Sequence, residues 1–243
     1  MAGVPTTVVL LHGFAGTRRA WDPVVELLDR ERYTPLAPDL RGHGDARDAR
    51  PVSFEACVAD LLAAAPERFV LCGYSMGGRI AQHVALAAPD RVERLVLVAT
   101  TAGIDDAAER AQRRAADQRL AAFAEGATPE QFADRWAAQP LFAGTPPEAG
   151  RLWRADLLRN DPRALAEVLR GVGTGAMAPL WERLPELTMP ATVLVGERDA
   201  KFRALGERLA GGLPDAELVV VPGAGHGLPR EAPAAIAQSL RPR

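Results

Sequence analysis

Three residue types that can share one proton, a serine, an aspartate and a histidine, each follow a short apolar run in this 243-residue chain. Ser75 lies in Gly73-Tyr74-Ser75-Met76-Gly77, between the apolar run Phe69-Val70-Leu71-Cys72 and the helical pattern Gly78 to Leu86. A G-x-S-x-G between strand and helix is a nucleophile elbow: the serine sits on a sharp turn with its hydroxyl raised, and the first helix amides point at the same spot. Serine is a weak nucleophile or base at neutral pH, so it needs a base, and that base needs a group to orient it. His226, in Gly223-Ala224-Gly225-His226-Gly227, and Asp199, in Gly196-Glu197-Arg198-Asp199, supply both types after the last two apolar runs. Taken singly, such an aspartate reads as a cap or turn residue and such a histidine as a loop residue. Their joint fall on consistent strand ends selects the triad Ser75, Asp199 and His226. The loop His12-Gly13-Phe14 follows the first apolar run and brings the Phe14 amide opposite that of Met76, as two donors for a developing oxyanion. His12 is expected to be structural and His43 to shape its loop.

Arg79 lies one helical turn beyond Ser75. A guanidinium buried there costs several kcal/mol unless an anion pairs with it. A structural ion pair and a bidentate clamp on a substrate carboxylate are the two readings. Arg110, Arg113 and Arg114 share a helix face by their i, i+3, i+4 spacing. An arginine run is usually solvated, but a helix above the site must turn some face toward it. Trp136, Phe142 and Trp153 read either as an apolar pocket wall or as helix-packing core.

Six strand-like runs carry these loops: Thr7–Leu11, Thr34–Pro38, Phe69–Cys72, Leu95–Ala99, Thr192–Val195 and Leu218–Val221. Each is short and continuously apolar, as strands covered on both faces are. Helical patterns at Trp21–Arg30, Phe54–Ala65, Arg79–Ala88, Ala204–Gly211 and Pro233–Leu240 alternate with them. That alternation predicts an α/β class and a mostly parallel, doubly wound sheet of about six strands, with ligands at the carboxyl ends. Between Thr101 and Met189 strand signals stop and helical ones continue, at Asp105–Glu125, Pro129–Ala138, Pro147–Leu158, Pro162–Gly171 and Pro179–Leu184. The expected organisation is a core of residues 1–100 and 190–243 with an inserted helical lid of residues 101–189.

Hydrophobic content of 48% and charged content of 25% allow a sizeable core. A net charge of −2 gives no electrostatic case for nucleic acid or an anionic membrane. Met1 to Pro5 is too short for a signal peptide, and no run nears the length of a membrane span, so a cytoplasmic protein is expected. Cys57 and Cys72 fit no metal spacing and read as small core hydrophobes. No metal or organic cofactor is expected, because neither a ligand cluster nor a phosphate loop is visible. Lys201 is the only lysine.

The chain order Ser, Asp, His is that of an α/β-hydrolase fold. More specifically, Gly73-Tyr74-Ser75-Met76-Gly77-Gly78-Arg79, Gly196-Glu197-Arg198-Asp199-Ala200-Lys201-Phe202 and Gly223-Ala224-Gly225-His226 closely resemble the MenH family. So do the lid strings Phe132-Ala133-Asp134-Arg135-Trp136, Gln139-Pro140-Leu141-Phe142 and Leu169 to Gly175. The resemblance implies an α/β-hydrolase core with a helical cap and a lyase reaction of menaquinone biosynthesis. Pyruvate leaves a succinyl-bearing cyclohexene tricarboxylate, Ser75 removes a proton next to the ketone, and the enolate rests on the Phe14 and Met76 amides. It also implies Tyr74, Arg79, Arg113 and Trp136 as substrate contacts. A further family arginine falls on Leu157, so Arg154, one turn away, is the expected replacement. The partner is then a small polycarboxylate, and a monomer is expected. Two rivals use the same residues: a carboxylesterase or carbon–carbon hydrolase with this triad, and a non-catalytic receptor binding a small ligand under its lid.

Overall fold

A computed structural model describes residues 4–241, so part of the Met1–Pro5 lead-in and the last two residues of the expected core lie outside it. The chain runs β1 (Thr6–Leu11), α1 (Asp22–Val25), β2 (Tyr33–Leu36), α2 (Phe54–Ala64), β3 (Phe69–Tyr74), α3 (Met76–Ala87) and β4 (Val92–Val98). Four helices follow without a strand: α4 (Ala107–Gly126), α5 (Pro129–Ala137), α6 (Pro147–Leu157) and α7 (Pro162–Val172). The fold closes with β5 (Ala191–Gly196), α8 (Ala200–Gly212), β6 (Ala216–Val221), α9 (Leu228–Glu231) and α10 (Pro233–Ser239). The six strands form one sheet in the order β2-β1-β3-β4-β5-β6. Every pairing is parallel.

Side chains alternate across a strand, and the continuous apolar runs feed two cores at once. Val9, Leu11, Leu71, Leu95, Leu97, Val193 and Val195 pack on one face with Ile80 and Val84 of α3. Val8, Leu10, Val70, Cys72, Val96, Val98 and Leu194 pack on the other with Trp21, Ile236 and Leu240. Cys57 and Cys72 are free and buried in these two cores. A third cluster, around Phe132, Trp136, Leu157 and Leu165, joins α4–α7 to one another and to Ala15 in the loop after β1. No helix among the described residues is long and apolar enough to cross a membrane.

The pattern at Pro179–Leu184 becomes a 3₁₀ helix over Trp181–Glu186, and three helix boundaries differ from the sequence pattern by three residues or more, each for a local reason. The run Trp21–Arg30 holds only the four residues of α1, after which Leu27 and Leu28 bond three residues back, to Val24 and Val25. Helix α3 begins at Met76, because the turn at Ser75 delivers the chain straight into it; Gly77 and Gly78 are poor helix formers and mask that first turn. Helix α8 begins at Ala200, because the Asp199 carboxylate caps it by accepting from the Phe202 amide at 3.2 Å.

His12 and His43 hold the loop after β1 against the loop after β2. The Leu40 amide donates to His12 Nε2 at 3.0 Å, and His12 Nδ1 meets the Gly13 carbonyl at 2.8 Å. The Ala15 amide donates to His43 Nε2 at 3.1 Å, and His43 Nδ1 meets the Arg41 carbonyl at 3.1 Å. Each ring therefore accepts at one nitrogen and donates at the other, which only the neutral form can do. Burial pushes both below the usual imidazole range. The unfolded chain then binds more protons below its own histidine pKa of about 6.5, and stability falls as pH drops through that value. Thermal melts should be flat between about pH 8 and 7 and lose several degrees by about pH 5. An unchanged melting temperature at pH 5 would contradict the neutral assignment.

Candidate active site

Ser75 occupies a turn that its own backbone disfavours, with φ 51° and ψ −110°. Its surroundings leave no alternative. A Cβ at Gly73 would lie 2.4 Å from the Gly77 carbonyl oxygen, and one at Gly77 would lie 2.1 Å from that of Leu11. The Ser75 amide donates to the Val98 carbonyl at 2.8 Å, and the Thr100 hydroxyl donates to the Ser75 carbonyl at 2.7 Å. The serine is thus fixed between β3, β4 and the amino end of α3.

Two later loops close on it. His226 Nε2 lies 3.2 Å from Ser75 Oγ, and His226 Nδ1 lies 2.7 Å from Asp199 Oδ2. Both partners of the serine are buried. Asp199 therefore contacts two groups, capping α8 with one oxygen and meeting the imidazole with the other, so a helix cap and a triad arrangement coexist at this residue. The imidazole is wedged by the rings of Phe202, at 4.4 Å between centroids, and Tyr74, at 5.5 Å.

A cavity of about 480 Å³ opens above Ser75, between the strand ends and the helices α4–α7. Phe14 and Met76 line it, and neither backbone amide is taken by an acceptor among the described residues. Trp136, Phe142 and Trp153 form an apolar wall. Trp136 also packs edge-on against Phe14 at 4.7 Å, so pocket wall and lid core are one role for that ring. Its indole N–H has no acceptor among the described residues.

The charge of this cavity is one-sided. Arg79, Arg113, Arg198, Lys201 and Arg230 line it, against Asp199 as its single acid among the described residues. Arg113 leans on Asp117 at 2.8 Å, Arg198 on Glu231 at 3.3 Å and Arg230 on Asp156 at 2.8 Å. Arg79 has no such partner among the described residues. Only 6% exposed, it donates to the Val172 carbonyl at 2.6 Å. Burial, and then the charge of Arg113, push the Arg79 guanidinium down to about 9, with Asp117 opposing. It remains a cation at neutral pH, and a buried cation with one neutral acceptor favours an arriving anion strongly.

The sequence matches the Alpha/beta hydrolase family over residues 8–239. A 2-succinyl-6-hydroxy-2,4-cyclohexadiene-1-carboxylate synthase of Salmonella newport is 37% identical, over 99% of this chain and 95% of that protein. MenH from S. aureus superposes with a TM-score of 0.89 at 30% identity, covering 98% of this chain and 93% of its own. The chain belongs to the MenH family of α/β hydrolases. A malate-bound thermophilic esterase from Thermogutta terrifontis is also similar, with a TM-score of 0.83 at 29% identity over 99% of this chain and 89% of its own.

Of the residues picked out by sequence, Tyr74, Ser75, Met76, Arg79, Arg113, Trp136, Asp199, His226 and Phe14 all border one cavity. Arg154 does not. It pairs with Asp134 on the lid surface, because the cavity-facing position of α6 belongs to Trp153 and the next turn buries Leu157 in the lid core. Arg110 donates to the Ile104 carbonyl and Arg114 to that of Gly175, so only Arg113 of that helical run reaches the cavity. The basic residues overlooked by the sequence reading are Arg198, Lys201 and Arg230. The first two stand beside Asp199, a usable signal; Arg230 shows its place only through Asp156, 74 residues earlier.

Asp156 fastens the lid to the core. Although only 2% exposed, its carboxylate accepts from the Thr17 amide at 3.0 Å, from the Thr17 hydroxyl and from Arg230 at 2.8 Å. Asn160 adds a bond to the Ala15 carbonyl at 2.9 Å and accepts from the Gly44 amide at 3.0 Å. Replacing the acid in Asp156→Asn leaves Arg230 buried without its anion. Urea denaturation should show a loss of about 3 kcal/mol, the scale for breaking a buried ion pair. Wild-type stability would mean that this contact does not hold the lid.

Proposed function

We propose that the chain eliminates pyruvate from 2-succinyl-5-enolpyruvyl-6-hydroxy-3-cyclohexene-1-carboxylate to give 2-succinyl-6-hydroxy-2,4-cyclohexadiene-1-carboxylate, a lyase step of menaquinone biosynthesis. The observation that carries this reading is Arg79: a buried cation with no ion-pair partner among the described residues, in the same cavity as a hydrogen-bonded Ser75–His226–Asp199 triad. A neutral ester gives that charge no partner. A substrate with three carboxylates does, and the surplus of basic over acidic groups around the cavity fits its charge.

The chemistry follows from the geometry. His226 Nε2 draws the proton from Ser75 Oγ, and the oxygen takes a proton from the ring carbon bearing the succinyl group. Asp199 holds Nδ1–H and stabilises the imidazolium that forms. The electron pair released moves onto the ketone oxygen, where the Phe14 and Met76 amides meet it. As the ketone re-forms, the pair shifts through the ring double bond and breaks the bond between ring carbon and enolpyruvyl oxygen. Two conjugated double bonds remain in the ring, and the departing enolpyruvate takes up a proton at carbon to become pyruvate. The reaction uses no water, and the apolar wall of Trp136, Phe142 and Trp153 disfavours it beside the enolate. The reaction as proposed needs no group from a second copy, and we propose that the enzyme acts as a monomer in the cytoplasm.

Purified protein given the tricarboxylate should release pyruvate fast while turning over a simple aryl ester poorly. The reverse pattern would make it an esterase. Binding without turnover of either compound, surviving Ser75→Ala, would make it a receptor. Arg79→Ala should lower kcat/KM by ~10²-fold or more, about 3 kcal/mol, as for loss of one buried charged contact. A near-normal value would remove the carboxylate clamp.

A further inference from the structure

His226 stands between two glycines, and a second carboxylate is built around that arrangement. Glu231 closes the short helix α9, with its side chain only 2% exposed. Its Oε2 accepts from the Gly225 amide at 2.7 Å, and its Oε1 accepts from the Gly227 amide at 3.1 Å. The two amides that flank His226 in sequence are therefore held by the two oxygens of one acid. The glycines are what let it approach. A Cβ at Gly225 would lie 3.2 Å from both oxygens, and one at Gly227 would lie 2.9 Å from Oε1. Arg198, the residue before Asp199, reaches the same carboxylate at 3.3 Å, and its own amide donates to the Ala224 carbonyl at 2.9 Å. One buried anion thus ties the loop of the base to the loop of its orienting acid. Glu231 itself does not border the cavity.

We propose that Glu231 is a positioning residue for catalysis, setting the His226 imidazole between Ser75 and Asp199 by clamping the backbone on both sides of it. This rests on the triad, whatever substrate the cavity takes. Hydrogen bonds from backbone amides to a buried carboxylate are charge-assisted and strong. Glutamine fills the same space but has one oxygen, so in Glu231→Gln one flanking amide faces an NH₂ group and its bond is lost.

The test combines steady-state pyruvate release with the proton NMR spectrum of the resting enzyme. The His226 Nδ1–H bonded to Asp199 should give a far-downfield resonance, assigned by its absence in a His226 variant. Glu231→Gln should lower kcat by ~10- to 100-fold with KM within about twofold, the pattern of a misplaced catalytic group, and should shift or broaden that resonance. Gly227→Ala, also outside the cavity lining, crowds the same carboxylate from the other side and should give the same split if Glu231→Gln folds poorly. An unshifted resonance in a folded variant of either kind, with wild-type kcat, would overturn the proposal. So would an effect confined to KM. Because the resonance is read without substrate, it fails or holds independently of the assigned reaction.

Discussion

The turn at Ser75 is the constraint on which the rest of the structure depends. A non-glycine residue at positive φ is tolerated only where neighbours fix it, and here the fixing is mutual. The start of α3 presses on β1 so closely that no side chain fits at Gly77. That contact sets the Met76 amide beside the loop after β1, which carries Phe14. The same loop is held from beneath by His12 and His43 and from above by Asp156. Moving the elbow would therefore displace the Ser75 hydroxyl, the Phe14 and Met76 amides and the lid attachment together.

Electrostatics divides the cavity into two kinds of cation. Arg113, Arg198 and Arg230 each rest on an acid behind the wall, so their charge is largely answered by the protein and their geometry is fixed. Arg79 is left to its carbonyl, and Lys201 has no acid among the described residues. Arginines fixed on protein acids, together with an unanswered one in the same cavity, suit a multiply charged guest such as the proposed substrate. The mildly acidic net charge of the whole chain conceals this local reversal. The lid supplies Arg113 and the apolar wall, while the core supplies the triad and Arg79, so the site exists only with both in register.

Much of this was legible in the sequence. Continuous apolar runs such as Val8–Leu11 and Leu95–Val98 reveal strands covered on both faces, and the punctuation after each run marks the catalytic edge. Asp199 was legible because it follows an apolar run on the same edge as Ser75 and His226, although taken singly it reads only as the helix cap that it also is. Arg154 was not, since helical spacing states which residues share a face but not which face turns inward; Trp153 took that place. The buried acids Asp156 and Glu231 were hidden for another reason. Each reads in sequence as an ordinary acidic helix residue, and its place is set by donors from a distant segment or from glycine amides, which carry no side-chain signature.

The most direct measurement of the central claim is a crystal structure of Ser75→Ala soaked with the tricarboxylate substrate. A carboxylate should lie on the Arg79 guanidinium, with the ketone oxygen within hydrogen-bond reach of the Phe14 and Met76 amides and the proton-bearing ring carbon over residue 75. A substrate held only by the rim cations, with Arg79 still on the Val172 carbonyl and the ketone turned away from both amides, would contradict the account.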